Sequence, residues 1–361
     1  MPPVPPPPAV DAALALRRVL LRAADALLPP WAAVWDRTMG VGRTQIIGVI
    51  AELGVADELR EGPSSAADLA SRLGVDADAL HRVLRAAAVD GLLKVDRRGR
   101  FKLTRLGRTL RSDWPATLRP WARYMALRST RDAWGDLGET VRTGRSAFER
   151  VHGMSVWDWF AAHPDEERLF AAAMRSITEF DAPALAASEL VPDTGTICDV
   201  AGGAGTLLAE VLASQPGLRG VLVEAPGVLA EAERVLSGRG VRERVELVEG
   251  DLFGELPALD AEVWLLKNIL HDWDDPTSAR ILAGVRRAMK AGARLVVIEQ
   301  IQERDQPHPF ASLSDIQMLT QCVEGRERSR AELRELLAGA GFTPGRVERA
   351  GVSALVEGVA R

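Results

Sequence analysis

Two cysteines in 361 residues are too few for a disulfide framework. Cys198 also falls inside a predicted core strand, so no bridge to Cys322 is expected and a reducing cytoplasm is. No apolar run reaches 18 residues, so no transmembrane helix and no membrane partner are expected. Met1 to Pro8 lacks a basic stretch followed by an apolar one, so it does not read as a signal peptide. Its prolines suit a disordered, polyproline-type lead over residues 1–10. Positive charge is not in excess either. Forty-five Lys and Arg stand against 50 Asp and Glu, a net −5, which disfavours a whole-protein nucleic-acid binder. What the chain does have is 47% hydrophobic residues, ample for the cores of about two domains.

The first third is predicted helical. Leu14, Leu20, Leu21, Leu27 and Leu28 make Asp11 to Leu28 an amphipathic helix that needs something to pack on, such as a second copy of the chain. A second helix is predicted over 43–60, with Ile46, Ile47, Ile50 and Leu53 on one face. A compact pattern follows: a short helix from Ser65 to Leu73, a longer one from Asp76 to Leu93, and a hairpin over 94–103 turning near Gly99. Another helix is expected from Leu106. Helix, helix and wing make a winged-helix pattern. Residues 71–111 hold eleven Lys or Arg against four Asp or Glu, which suits DNA. The second helix does not, because Asp76, Asp78 and Asp90 outweigh Arg82 and Arg85 where a recognition helix meets a polyanion. A packing and dimerisation domain over 11–112 is the expectation, and a DNA-binding regulator the alternative. Residues 113–190 read as mostly helical, with aromatic residues that suit either core packing or an apolar pocket.

From Thr196 the period changes. Strands are predicted at 196–200, 220–224, 245–248, 263–266 and 294–298, with helices between and closing strands near Val347 and Val352–Val359. Alternating strands and helices predict a doubly wound, mostly parallel α/β sheet. Asp199-Val-Ala-Gly-Gly-Ala-Gly205 is a strand-to-helix loop whose glycines admit close approach of a ligand. Its spacing does not match G-x-G-x-x-G/A, so a dinucleotide is not favoured. Glu224 ends the second strand, where a carboxylate suits ribose hydroxyls, and Asp251 follows the third, where one suits an adenine amino group. Acidic strand ends suit a cationic nucleoside cofactor better than a polyphosphate.

The stretch Trp264-Leu-Leu-Lys-Asn-Ile-Leu-His-Asp-Trp-Asp-Asp-Pro276 ends a strand on charged side chains. His271 there suits a general base. Asp272, Asp274 and Asp275 look like a metal cluster, but Pro276 at a helix start makes caps the expectation and no metal is assigned. With Leu222-Val-Glu-Ala-Pro226, Gly250-Asp-Leu-Phe253 and Gly325-Arg-Glu-Arg328, these motifs resemble the S-adenosylmethionine-dependent O-methyltransferases of small molecules. That class spans plant caffeate- and flavonoid-type enzymes and bacterial polyketide- and antibiotic-tailoring enzymes. The resemblance covers about residues 35–360. It implies a Rossmann-like methyltransferase domain over 113–361, with an acceptor-pocket segment at 113–190, behind a winged-helix-like dimerisation domain. It implies S-adenosylmethionine as cofactor, a homodimer, and a small hydroxylated acceptor.

By motif position the resemblance places Gly203, Glu224, Asp251, Leu252 and Lys267 on the cofactor, and Trp273 near its adenine. It makes His271 the base with Glu299 and Glu327 as its carboxylate partners, and it lines the acceptor pocket with Trp157, Phe160, Met174 and Met318. Three positions depart from the family pattern: Ala201 replaces the usual first glycine, Glu224 the usual Asp, and Leu252 a frequent Met or Phe. The acceptor itself is open. So is a relative of the same fold that hydroxylates or decarboxylates instead of methylating.

Overall fold

The computed structural model describes residues 7–361, in two compact units. One comprises residues up to Arg131 together with His163–Ile177, and the other holds the rest.

The first unit opens with α1 (Pro7–Ala26), α2 (Pro30–Thr38), α3 (Gly40–Glu52) and α4 (Val55–Glu58). The first helix starts within the expected proline-rich lead, and residues 1–6 of that lead lie outside the described residues. The single helix expected over 43–60 is two, because Gly54 at φ +70° turns the chain between α3 and α4. Then come α5 (Ala66–Leu73) and α6 (Ala77–Val89), capped by the side chains of Ser65 and Asp76. The longer helix stops short of Leu93, which instead starts the hairpin of β1 (Leu93–Val95) and β2 (Phe101–Leu103). The expected helix at Leu106 is one 3₁₀ turn, Gly107–Leu110, followed by α7 (Arg119–Ala126). Ile50, Leu69, Leu80, Leu84, Leu93 and Phe101 form this unit's core.

The helical middle holds α8 (Arg128–Gly135), α9 (Leu137–Thr143), α10 (Ala147–His152), α11 (Val156–Ala162) and α12 (Pro164–Ala186). The second unit then alternates: β3 (Thr194–Val200), α13 (Thr206–Ser214), β4 (Gly217–Glu224), α14 (Pro226–Gly238), β5 (Val245–Glu249), β6 (Val263–Lys267), α15 (Asp275–Ala288) and β7 (Arg294–Glu299). It closes with α16 (Ala311–Gln321), α17 (Arg330–Gly339), β8 (Phe342–Ala350) and β9 (Ser353–Ala360). The seven strands order as β5-β4-β3-β6-β7-β9-β8. The first five run parallel, and β9 inserts antiparallel beside β7.

Two apolar clusters sandwich this sheet, one with Leu208, Leu222, Leu265 and Val296, the other with Trp264, Leu266, Leu282 and Val297. Alternate residues of β6 thus face opposite layers, so the whole run is buried, as a central parallel strand requires. The chain winds outward from β3 in one direction through β4 and β5, and in the other through β6 and β7. That reversal leaves a crevice at the carboxyl ends of β3 and β6, where α/β sheets bind ligands.

Candidate active site

The loop after β3 is shaped by backbone sterics. Ala201 holds φ +52°, Gly203 +57° and Gly205 +71°. A left-handed Ala costs about 1–2 kcal/mol, which gives a physical reason for glycine at the position where this chain has Ala201. Substituting Ala201→Gly is therefore expected to stabilise the fold by up to about 1 kcal/mol, less the glycine's own entropy cost, as read from a chemical denaturation midpoint. Gly202 has no room for a side chain, since a Cβ there would stand 2.4 Å from the Asp199 carboxylate.

The Gly203 amide donates to Glu224 Oε2 at 2.8 Å, and the Ala225 amide to Oε1 at 2.7 Å. The loop and the end of β4 are thereby locked together, with lone pairs of the carboxylate left over. Asp251 Oδ1 accepts from the Phe253 amide at 2.9 Å. Glu224, Asp251 and Leu252 line one cavity of ≈ 550 Å³, walled also by Ala201, Pro226 and Phe253. Gly203 joins it through its bond to Glu224. Lys267 is not among its walls. Its ammonium lies 3.5 Å from the buried Asp181 carboxylate, which also holds the Val352 amide and the Ser353 hydroxyl.

Asp199 escaped the sequence reading as a site residue. It is buried, and neither carboxylate oxygen has a hydrogen-bond partner. Burial, reinforced by the negative charge of Glu224, pushes its pKa up to about 7. Folding thus tightens its proton. The group costs little at acid pH, and the cost grows as pH rises from about 4 through about 7. Asp199→Asn is expected to stabilise the ligand-free protein by about 4 kcal/mol at pH 8, and by less than half of that at pH 5. Urea titrations at the two pH values check this. These carboxylates, an aspartate without protein donors among them, fit a cationic nucleoside such as S-adenosylmethionine.

His271 sits on a 3₁₀ turn, Leu270–Asp272, just past β6. Asn268 reaches that turn through φ +53°. The ring is pinned from β7 and from the 325–328 turn. Nδ1 lies 3.0 Å from Glu327 Oε1 and 3.5 Å from Glu299 Oε2. A carboxylate only accepts, so Nδ1 carries a proton in either state of the ring, and in the neutral ring Nε2 is the nitrogen left to accept one. Glu299 Oε1 takes the amides of Ile269 and Leu270 at 3.1 and 2.9 Å, and Ser314 donates to Glu327 Oε1 at 2.6 Å.

Burial works against an imidazolium, but the charges of Glu299, Glu327 and Asp272 outweigh it and push His271 up to about 10. This is above the near-neutral value expected of a base from sequence. Burial likewise pushes Glu299 up, to about 7.

The three aspartates do different work. Only Asp274 caps α15, accepting from the Thr277 amide at 2.8 Å. Asp275 pairs with Arg326 and Arg328. Asp272 lies 3.6 Å from His271 Nε2 and takes the Cys322 thiol. Among the described residues the three metal-ligand-type side chains that gather are instead His271, Glu299 and Glu327, within 4.8 Å of one another.

Arg328 is the largest omission of the sequence reading. It is 2% exposed and donates to the carbonyls of Leu270 and Trp273, to Ser278 Oγ and to Asp275. With the Arg326 amide on the His271 carbonyl at 2.8 Å, it clamps the turn that carries the histidine.

Trp157 stacks on Trp273 at 6.2 Å and 22°, Phe160 meets Trp157 edge-on, and Phe253 meets Trp273 edge-on at 4.9 Å. Trp273 therefore joins the wall of the ≈ 550 Å³ cavity to an expected acceptor residue. Met318 lies on α16, four residues past Ser314. Met174 lies on α12, within the residues of the first unit.

Comparison with known proteins agrees with this geometry. The O-methyltransferase domain profile matches residues 134–343, and the O-methyltransferase dimerisation domain profile residues 35–113. The chain is 37% identical to O-demethylpuromycin-O-methyltransferase of Streptomyces alboniger, covering 84% of this chain and 81% of that protein. It is 40% identical to 3-amino-4-hydroxybenzoate 4-O-methyltransferase of Streptomyces cremeus, covering 84% and 82%. The crystal structure of CalO1, a methyltransferase in calicheamicin biosynthesis in its SAH-bound form, superposes with a TM-score of 0.80 at 34% identity, covering 92% and 98%. The chain belongs to the O-methyltransferase family and is an enzyme that uses S-adenosylmethionine.

Proposed function

We propose that His271 is the general base that takes the proton of a phenolic hydroxyl on a small secondary metabolite, with Glu299 and Glu327 orienting the ring. The carrying observation is the Nδ1 to Glu327 hydrogen bond at 3.0 Å, which directs Nε2 away from the protein's own carboxylate pair. Bound S-adenosylmethionine supplies a methyl already activated on a sulfonium. Glu224 holds the ribose side of that cofactor, Asp251 and Leu252 the adenine side, and Gly203 the backbone approach. Lys267, held beside Asp181, contributes its positive charge near Asp199. His271 withdraws the acceptor proton, and the surrounding carboxylates stabilise the imidazolium that results. Trp157, Phe160 and Met318 shape the acceptor's side. The name of the Streptomyces cremeus relative, a 4-hydroxybenzoate derivative's 4-O-methyltransferase, supports a phenolic acceptor.

No metal takes part in this reading, so exhaustive treatment with a chelator is expected to leave turnover unchanged. Residues 11–112 serve dimerisation and 113–361 methyl transfer. Trp31 and Trp35 on α2 are 71% and 69% exposed, which suits a homodimer contact rather than solvent. Sedimentation of the chain as a monomer at micromolar concentration would count against it. Two buried, unpaired cysteines suit the cytoplasm. Among the described residues no helix is long and apolar enough to cross a membrane. The central test incubates the protein with methyl-labelled S-adenosylmethionine and a panel of hydroxyarenes. A product heavier by one labelled methyl supports the reading. A product that has gained oxygen or lost carbon dioxide instead would overturn it.

A further inference from the structure

Helix α16 carries a second polar feature beside the base. Gln317 is only 7% exposed, and its Oε1 accepts from the indole N–H of Trp134. An indole nitrogen only donates, so this contact fixes which end of the amide is oxygen. The amide NH₂ therefore faces away from Trp134, and it has no partner. A buried amide NH₂ left without an acceptor is disfavoured, and native interiors seldom keep one without a role.

Its position is informative. Ser314, whose hydroxyl holds the Glu327 carboxylate that pins His271, is three residues earlier. Residues three and four apart share a helix face, so Ser314, Gln317, Met318 and Gln321 form one stripe. Gln321 is also buried and its Oε1 is also without a partner. Three residues of helix, a rise of about 4.5 Å, separate the level of Ser314 from that of Gln317. That is roughly the span from a hydroxyl across a fused bicyclic ring.

We propose that Gln317 is a specificity contact whose Nε2–H donates to a ring nitrogen or carbonyl oxygen of the acceptor, one fused ring away from the hydroxyl addressed by His271. The inference rests on the aromatic-hydroxyl reading above and adds the class of acceptor: a heteroaromatic or quinonoid phenol rather than a carbocyclic one. Trp134 is the positioning residue, because its donor-only N–H turns the amide.

A matched pair of acceptors tests this. 5-Hydroxyquinoline and 1-naphthol have the same shape and differ by one ring nitrogen across the bicycle from the hydroxyl. The wild type is expected to prefer 5-hydroxyquinoline by ten-fold or more in kcat/KM, since sites built to pair a polar group discriminate strongly against analogues that lack it. Gln317→Glu keeps an oxygen for Trp134 but removes the donor. It is expected to bring the preference to within about three-fold of unity, with 1-naphthol turnover changed less than about three-fold. Gln317→Leu is expected to do the same, with thermal denaturation confirming that both variants are folded. Equal loss on both acceptors would mean a merely structural role and overturn the proposal. So would a wild type without the preference, or a preference that survives Gln317→Glu. Failure of the wild type to methylate either compound would instead count against the aromatic-hydroxyl reading, and this inference would fall with it.

Discussion

Replacing His271 by alanine is expected to lower kcat by about 10²–10⁴-fold, the range for a positioned general base. Cofactor affinity should change little, because none of the walls of the ≈ 550 Å³ cavity is contributed by His271. Single-turnover rates with a phenolic acceptor, alongside calorimetric titration of the cofactor, separate the two effects. Turnover within a few-fold of wild type would sink the base assignment. The pH profile sharpens this expectation. With its pKa pushed up to about 10, the ligand-free imidazole is mostly protonated at neutral pH. Activity that needs the neutral ring must then rise with pH through the alkaline range. Glu327→Gln removes one of the negative charges that favour the imidazolium, so the rising limb is expected to move toward lower pH. The ring also loses its charged partner at Nδ1, so maximal turnover should fall even as that limb moves. A limb that stays in place would show that another group controls it.

Arg328→Ala is expected to cost about 2–4 kcal/mol of stability, from the loss of charge-assisted hydrogen bonds to buried carbonyls. The guanidinium is almost fully enclosed, and its removal takes the charged donor from two carbonyls and a serine hydroxyl, leaving them only the longer bonds they make among themselves. Those carbonyls, of Leu270 and Trp273, flank His271 on either side. Activity should therefore fall further than the folded fraction does, measured at a temperature where circular dichroism reports a native fold. Arg328→Lys should recover only part of both losses, since an ammonium cannot fork across two carbonyls and a carboxylate at once. Full activity in a folded Arg328→Ala protein would mean that the turn holds its shape unaided.

The parallel strands were legible because each carries a continuous apolar run, and a run such as Val263 to Leu266 has few other homes than the middle of a sheet. His271 was legible for the complementary reason, as a charged residue just past such a run. Arg328 was not. Its partners at 270–278 are some fifty residues away in sequence, and nothing local distinguishes a buried arginine from an exposed one. Asp199 stands within a motif, yet its role depends on what is missing around its carboxylate, which no spacing reveals. The helix α2 was lost because Pro29 and Pro30 read as a stop, whereas Pro30 is the helix's first residue, where its missing N–H does no harm. Composition alone makes Asp272 and Asp275 look like caps, but one helix start needs one cap. The others were free to meet the histidine and the arginines.

The stacked pair of Trp157 and Trp273 has an optical consequence. Two indoles 6.2 Å apart couple their transition dipoles, so they act as one chromophore in near-ultraviolet circular dichroism. Phe253 leans on that chromophore from the wall of the cavity. A ligand entering there is expected to perturb that spectrum. The enzyme thus carries a built-in, label-free gauge of occupancy, and Trp157→Phe should silence it by leaving Trp273 without an indole to couple to.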